Sequence, residues 1–279
     1  MLRRAEPRSI LSEGIHQFRM SLSDLFFPPV CGFCEAALRE ADSFLCDNCR
    51  DSVERVNEPV CVQCGLPFPG LAVAGAGRCG RCLTDPPPYD RARYALYYQG
   101  AVREALVRFK FAGALHIAFP LSQILSEAFR RHFQLVDLDF MVPVPIHRTR
   151  LIHRGFNQVV ELAKRLSRDT GIPLDRTSLK KIKDTPPQVG LPRTARVRNL
   201  RGSFGIHHSN RIRGRKVLLV DDVATTGSTI AEAARTLMRG GAARVDALVL
   251  AVREAVSAQA GNSATPGSPE SFNVGKQPL

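Results

Sequence analysis

The sequence has no tryptophan, and nowhere does it approach the roughly twenty consecutive apolar residues that a membrane-spanning helix needs. The second absence excludes such a helix. The first does not preclude a core, because hydrophobic residues fill 44% of the 279 positions, enough for one ordinary domain with a small accessory module and tails. The Walker A pattern, G-x-x-x-x-G-K followed by Ser or Thr, does not occur, which removes the P-loop nucleotide-binding class. Residues 1–24 include Arg3 and Arg4 but no apolar run and no small-residue cleavage site, so a secretory signal is not expected. A cytoplasmic location is the default expectation.

Acidic residues are scarce between 143 and 216, which hold 18 Lys or Arg against 4 Asp or Glu. Residues 1–142 balance at 16 of each, and 217–279 hold 5 against 6, so the net charge of +13 comes from one central block. Such a block marks a surface for a polyanion, either nucleic acid or a ligand with several phosphates. A plain solvated basic face is the alternative. Aromatic residues do not interleave the block, which weakens the case for a base-stacking platform.

Cysteine is missing from most of the chain. All eight cysteines lie between Cys31 and Cys82, in four Cys-x-x-Cys pairs: Cys31/Cys34, Cys46/Cys49, Cys61/Cys64 and Cys79/Cys82. A two-residue gap lets one tight turn present both sulfurs to one ion, and two such turns complete the tetrahedron that Zn2+ prefers. The intervening 11 and 14 residues suit short hairpins that bring two knuckles together. Disulfides conflict with a cytoplasmic reading, and a redox pair needs no fourfold copy. Two structural zinc ions are therefore expected, with an iron–sulfur cluster as the alternative. Sequential pairing of the quartets is the default, and a crossed pairing stays open. Four protein ligands per ion leave no position for catalysis, so the metal would serve folding. Each filled site carries a formal −2, which brings the net charge from +13 to about +9.

The remaining elements follow from apolar patterning. Leu22, Leu25, Phe26 and Phe27 suggest a short amphipathic helix before a module spanning 25–85. Asp85-Pro-Pro-Pro-Tyr89 is a stiff connector into a domain spanning 90–254. Strands are expected at Ala92–Tyr98, Phe140–Val144, Val217–Val220 and Arg244–Val252, and helices at Gly100–Phe111, Pro120–Phe133, Gly155–Asp169 and Thr229–Arg239. This alternation predicts an α/β fold, a mostly parallel sheet with helices on both faces, behind the small double zinc-ribbon module with its four cysteines per ion. Residues 180–201 are polar, basic and Pro-bearing, as a mobile hood would be, and 255–279 read as a disordered tail.

The most informative stretch is Val217-Leu-Leu-Val-Asp-Asp-Val-Ala-Thr-Thr-Gly-Ser-Thr229. It predicts a buried strand ended by Asp221 and Asp222, then a loop of small residues that opens a helix. Ligands of open α/β sheets bind at the carboxyl ends of strands. Backbone N–H groups of Ala224, Thr225, Thr226, Gly227 and Ser228 can approach an anion closely, and the helix N-terminus favours negative charge there. The hydroxyls of Thr225, Thr226, Ser228 and Thr229 add donors. The two acids would repel a bare phosphate, so they are expected to face ribose hydroxyls or a Mg2+ bound with the ligand.

Val217–Thr229 resembles the phosphoribosyl pyrophosphate (PRPP) signature of type I phosphoribosyltransferases. The wider chain resembles the ComF family, double-zinc-ribbon, phosphoribosyltransferase-like proteins associated with bacterial DNA uptake. The features that carry this run from Leu22 to Arg253. They are Leu-Phe-Phe-Pro-Pro-x-Cys with its cysteine pairs, Val142-Pro-Val-Pro145, Arg154-Gly-Phe-Asn-Gln158, Thr185-Pro-Pro-Gln188, Arg198-Asn199, Gly202-Ser-Phe204 and the Asp-Asp loop. The resemblance implies that Asp221 and Asp222 hold the ribose, that Ala224 to Ser228 hold the 5-phosphate, and that Pro145, Ile146, His147 and Arg148 meet the pyrophosphate. Arg148, Arg150 and Arg154 suit pyrophosphate by their bidentate geometry. Two zinc ions, and Mg2+ with PRPP, are the implied cofactors. Single-stranded DNA and a DNA-uptake helicase are the macromolecular partners to test; oligomeric state is not legible. A plain interaction adaptor with a degenerate pocket is the remaining alternative.

Overall fold

The computed structural model describes residues 29–38, 43–68, 77–133, 138–185 and 193–253. The helix expected near Leu22–Phe27 and the tail expected at 255–279 lie outside these residues, as does part of the expected hood.

Two short helices occur in the cysteine region, α1 (Asp47–Asp51) and α2 (Gly80–Thr84). They are followed by β1 (Arg91–Tyr97), α3 (Gly100–Phe111), α4 (Ala118–His132), β2 (Phe140–Pro143), α5 (Arg148–Arg154) and α6 (Gln158–Thr170). A hairpin of β3 (Leu179–Lys181) and β4 (Phe204–Ile206) has α7 (Arg193–Leu200) in its connection. Then come α8 (Ser209–Ile212), β5 (Lys216–Ala224), α9 (Ser228–Arg239) and β6 (Arg244–Val252).

The main sheet has the order β1-β6-β5-β2, all parallel, so the two late strands sit in its centre. Side chains of a strand alternate between faces. Leu218 and Val220 of β5 and Leu248 and Leu250 of β6 accordingly pack with α3, α4 and α6, whereas Val217, Leu219, Val245, Ala247 and Val249 pack with α9. A strand buried on both faces reads as a continuous apolar run, which is why β5 and β6 stand out in the sequence. Helices on two faces of a parallel sheet are the architecture that the alternation predicts.

The cysteine region is built into this body. Cys31, Phe33, Leu45 and Cys49 join the core around α3 and α4, and Val56, Val60 and Tyr89 join the α9 side. The outer edge of β1 is covered by the same region: Ala92 N–H donates to the Gln63 carbonyl (2.7 Å), Val56 N–H to Ala95 (3.0 Å) and Tyr97 N–H to Glu54 (2.9 Å). An edge strand paired in this way offers no template for association.

Two expectations need correction. The strand expected to stop at Val220 continues through Asp221 and Asp222 to Ala224, because β6 pairs with it as far as Ala224↔Val252. The helix expected from Gly155 starts instead at Gln158, and a separate short helix, α5, precedes it where no helix was expected. Gly155, at φ 79°, closes α5, and Asn157 starts α6 by accepting the Val159 N–H at 3.0 Å.

Candidate functional site

At the carboxyl edge of the sheet the ends of β1, β2, β5 and β6 surround an open cleft of about 340 Å³. Six cationic side chains line it: Lys110, Arg150, Arg154, Lys181, Arg196 and Arg253. The only carboxylates among the lining residues are Asp221 and Asp222. Tyr98 and Phe111 add aromatic wall, each with a guanidinium over its ring: Arg253 lies 5.5 Å from the Tyr98 centroid and Arg154 5.2 Å from that of Phe111.

Because the strand runs through both acids, they leave it on opposite faces. Asp222 turns toward α3 and α6, where its Oδ2 meets Lys110 Nζ at 2.8 Å and accepts from Gln158 Nε2 at 2.8 Å. Asp221 lies on the α9 side, and its Oδ1 accepts the Asp222 N–H at 2.9 Å. Burial, and then the neighbouring Asp222 carboxylate, push the Asp221 carboxyl up to about 8. Burial also lowers the proton affinity of Lys181 and of Arg154. The cleft therefore holds charges that its own surroundings disfavour and that a ligand of opposite sign would stabilise.

The turn after β5 opens into the same cleft. Gly227 caps α9 in a left-handed conformation, φ 73°, and the first-turn N–H groups of α9 have no intrahelical acceptor. Thr226 Oγ1 and Ser228 Oγ share a 2.7 Å hydrogen bond, and Arg196 of α7 donates to Thr225 Oγ1 at 2.7 Å. Amides, hydroxyls and a guanidinium thus converge on one small turn, an arrangement suited to a phosphoryl group.

The cysteines gather as two quartets, Cys31/Cys34/Cys46/Cys49 and Cys61/Cys64/Cys79/Cys82, so the sequential pairing is the one adopted. Sulfurs within a quartet lie within 4.8 Å of one another, with Cys34–Cys46 at 3.6 Å and Cys64–Cys79 at 3.7 Å. A tetrahedron with Zn–S bonds near 2.3 Å has edges of about 3.8 Å, so donor type and spacing both fit structural zinc. Burial opposes ionisation of Cys31 and Cys61, but amide N–H groups aimed at their sulfurs prevail and bring both thiols down to about 6.

Comparison with known proteins agrees with this anatomy. The double zinc ribbon domain model matches residues 22–83, and the phosphoribosyl transferase domain model matches residues 153–265. The DNA utilization protein YhgH of Escherichia coli is 35% identical over 224 residues, covering 79% of this chain and 96% of its own. The chain belongs to the ComF family. Competence protein F of Haemophilus influenzae is 33% identical over 81% of this chain and 98% of its own, and competence protein ComFC of Bacillus subtilis is 30% identical over 85% and 96%.

In this ComF-family chain the residues expected to bind ligand divide into two sets. Asp221, Asp222, Ala224, Thr225, Gly227, Ser228 and Thr229 line the cleft together. Thr226 faces a smaller cavity behind the turn. His147 is the N-cap of α5, its Nδ1 accepting from Thr149 N–H at 3.4 Å and lying 3.6 Å from Asp184, while Arg148 is exposed and outside the cleft lining. Arg150 and Arg154, from the same helix, do line it. The sequence reading passed over Lys110, Gln158, Tyr98 and Arg253 as site residues. Gln158 carried a signal, standing in the Arg154–Gln158 motif. The other three reach the cleft only through the packing of α3, β1 and β6.

Proposed function

We propose that the cleft binds PRPP with Mg2+ and that this ComF-type protein serves DNA uptake. The observation that carries the first part is the juxtaposition in one cleft of an amide-lined turn, a carboxylate pair and six cations. Thr225 to Ser228 would hold the 5-phosphate, Asp221 and Asp222 the ribose hydroxyls, and Arg150, Arg154 and Lys181 the pyrophosphate. Ribose hydroxyls would share Asp222 with Lys110 and Gln158. His147 and Arg148, at the start of α5, complete the expected pyrophosphate loop. Mg2+ would supply charge neutralisation at the leaving group, and the nearest carboxylates for it are those of the pair.

If the pocket turns over, a nucleophile bonds to ribose C1 as the C1–O bond breaks and pyrophosphate departs with the electron pair. No histidine is among the described lining residues, so the residues present act by positioning and charge rather than by imidazole proton transfer. PRPP with Mg2+ should raise the melting temperature of the full chain by several degrees, and Asp222→Asn should remove most of that rise. An unshifted wild-type transition at millimolar PRPP sinks the reading.

The DNA role rests on the family, whose members include proteins named for competence and DNA utilization. Arg176, Lys180, Lys183, Arg201, Arg211 and Arg213 are all exposed on the basic segment and available to a polyanion. We assign single-stranded DNA to this segment. Reversing Lys180 and Lys183 to Glu should weaken oligonucleotide binding and reduce its log–log salt slope by about 1.5, given ~0.7 per lost phosphate contact. An unchanged slope would place the DNA elsewhere.

A further inference from the structure

The smaller cavity behind the turn, about 180 Å³, joins the second ribbon to the ligand site. Arg81 and Tyr89 line it from the ribbon side, Thr226, Gly227 and Ser228 from the turn, and Val197 from α7. Gly227 and Ser228 line the ligand cleft as well, so the turn is a thin wall between ribbon and ligand.

What fixes the ribbon side of that wall is Gln63, the residue before Cys64. Its buried side-chain amide donates to the carbonyls of Pro87 (3.3 Å) and Tyr89 (3.2 Å), and its own backbone carbonyl takes the Ala92 N–H at 2.7 Å. The connector from Cys82 to β1 is thereby clamped to the first knuckle of the same quartet. Tyr89, 5% exposed, continues the line, with its hydroxyl 4.0 Å from where a Cβ on Gly227 would stand. No residue of the first quartet lines either cavity.

We infer that Gln63 and Tyr89 are positioning residues through which the second cysteine quartet sets the Thr225–Ser228 turn. Anion affinity in the cleft then depends on the second ribbon and not on the first. The affinity part rests on the PRPP reading above; the positioning of the turn does not. The coupling is mechanical. A left-handed glycine turn has little of its own to hold it, and an anion that needs several amides aligned is sensitive to any loosening behind them.

The decisive comparison uses the full chain with Gln63→Leu, Tyr89→Phe and, as a control in the first ribbon, Gly32→Ala. Leu at 63 removes the orphaned Oε1 but also takes the donor from the Pro87 and Tyr89 carbonyls, so a modest loss of stability is expected and the melting transition is recorded beside the titration. Metal analysis should still give about two zinc per chain for each variant. Calorimetric titration with PRPP and Mg2+ should give affinity about tenfold weaker for Gln63→Leu and about threefold weaker for Tyr89→Phe, and within twofold of wild type for Gly32→Ala. Hydrogen exchange in residues 224–230 of the ligand-free protein should quicken in the first two variants only. If the wild type does not bind PRPP, the proposed function falls and the exchange measurement alone decides this inference. Exchange unchanged in Gln63→Leu and Tyr89→Phe overturns it, as does equal quickening in Gly32→Ala.

Discussion

The two ribbons use the same four-sulfur chemistry and a similar chain length, yet they are seated differently. The first is held by side chains. Phe33 and Leu45 enter the core, Phe44 meets Phe119 edge-to-face at 6.2 Å, and Arg108 of α3 reaches the Phe33 carbonyl and Glu35. The second is held by hydrogen bonds that end on backbone carbonyls: the Ala92 N–H on Gln63, the Gln63 side-chain amide on Pro87 and Tyr89, and Arg93 on Val62 at 3.1 Å. Side chains can repack when perturbed, at a cost set by how far the site collapses. A carbonyl fixed in the chain, as at Gln63 against Ala92, has no such freedom. The difference teaches that metal-site likeness in sequence says little about mechanical role: the first ribbon is an anchor on the helical layer, and the second continues the sheet toward the ligand turn.

Glycine substitutions sharpen this contrast most. Gly65 has φ 69°, and a Cβ there would stand 2.1 Å from the Ala92 carbonyl oxygen. Gly65→Ala should therefore cost roughly 3 kcal/mol or more, from the left-handed conformation and overpacking together. A Cβ on Gly32 would meet the buried Pro120 ring at 2.5 Å and the Phe44 carbonyl oxygen at 3.3 Å, a clash without the left-handed strain of Gly65, so Gly32→Ala should cost less than Gly65→Ala. Denaturant titration of both variants checks the order, and equal losses would erase the distinction between the ribbons. Arg108→Ala is the smallest perturbation. It removes a half-exposed ion pair with Glu35 and one bond to the Phe33 carbonyl, for an expected loss near 1 kcal/mol, or roughly 2–4 °C in melting temperature. A loss above that range would mean the first ribbon depends on polar contacts after all.

Much of the fold was legible because its strands are buried on both faces and its long helices are amphipathic. Gly100–Phe111 and Arg244–Val252 match their expected bounds. The errors have physical causes. α5 has no buried residue, so it leaves no apolar period to read, and its N-cap is a histidine rather than a usual capping residue. Asp221 and Asp222 look like strand-ending residues because nothing local compensates their burial. For Asp222 the compensation comes from Lys110 and Gln158, which pattern reading along the chain does not bring near. The turn and the acid pair were readable as a motif. The cationic and aromatic wall around them was not, since Tyr98, Lys110 and Arg253 belong to the ends of three separate elements.

The position of β1 has a consequence for how the chain is made. Its partner in the sheet is β6, the last strand described, and more than a hundred residues separate Tyr97 from Arg244. A ribosome adding about 5–20 residues per second leaves β1 waiting several seconds for that partner. During the wait the preceding cysteine region already covers the other edge of β1, through Gln63, Val56 and Glu54, so one open edge is left instead of two. Early metal capture would thus halve the exposed edge of a waiting strand, and zinc starvation during synthesis, by opening the second edge, would surface as aggregation of nascent protein.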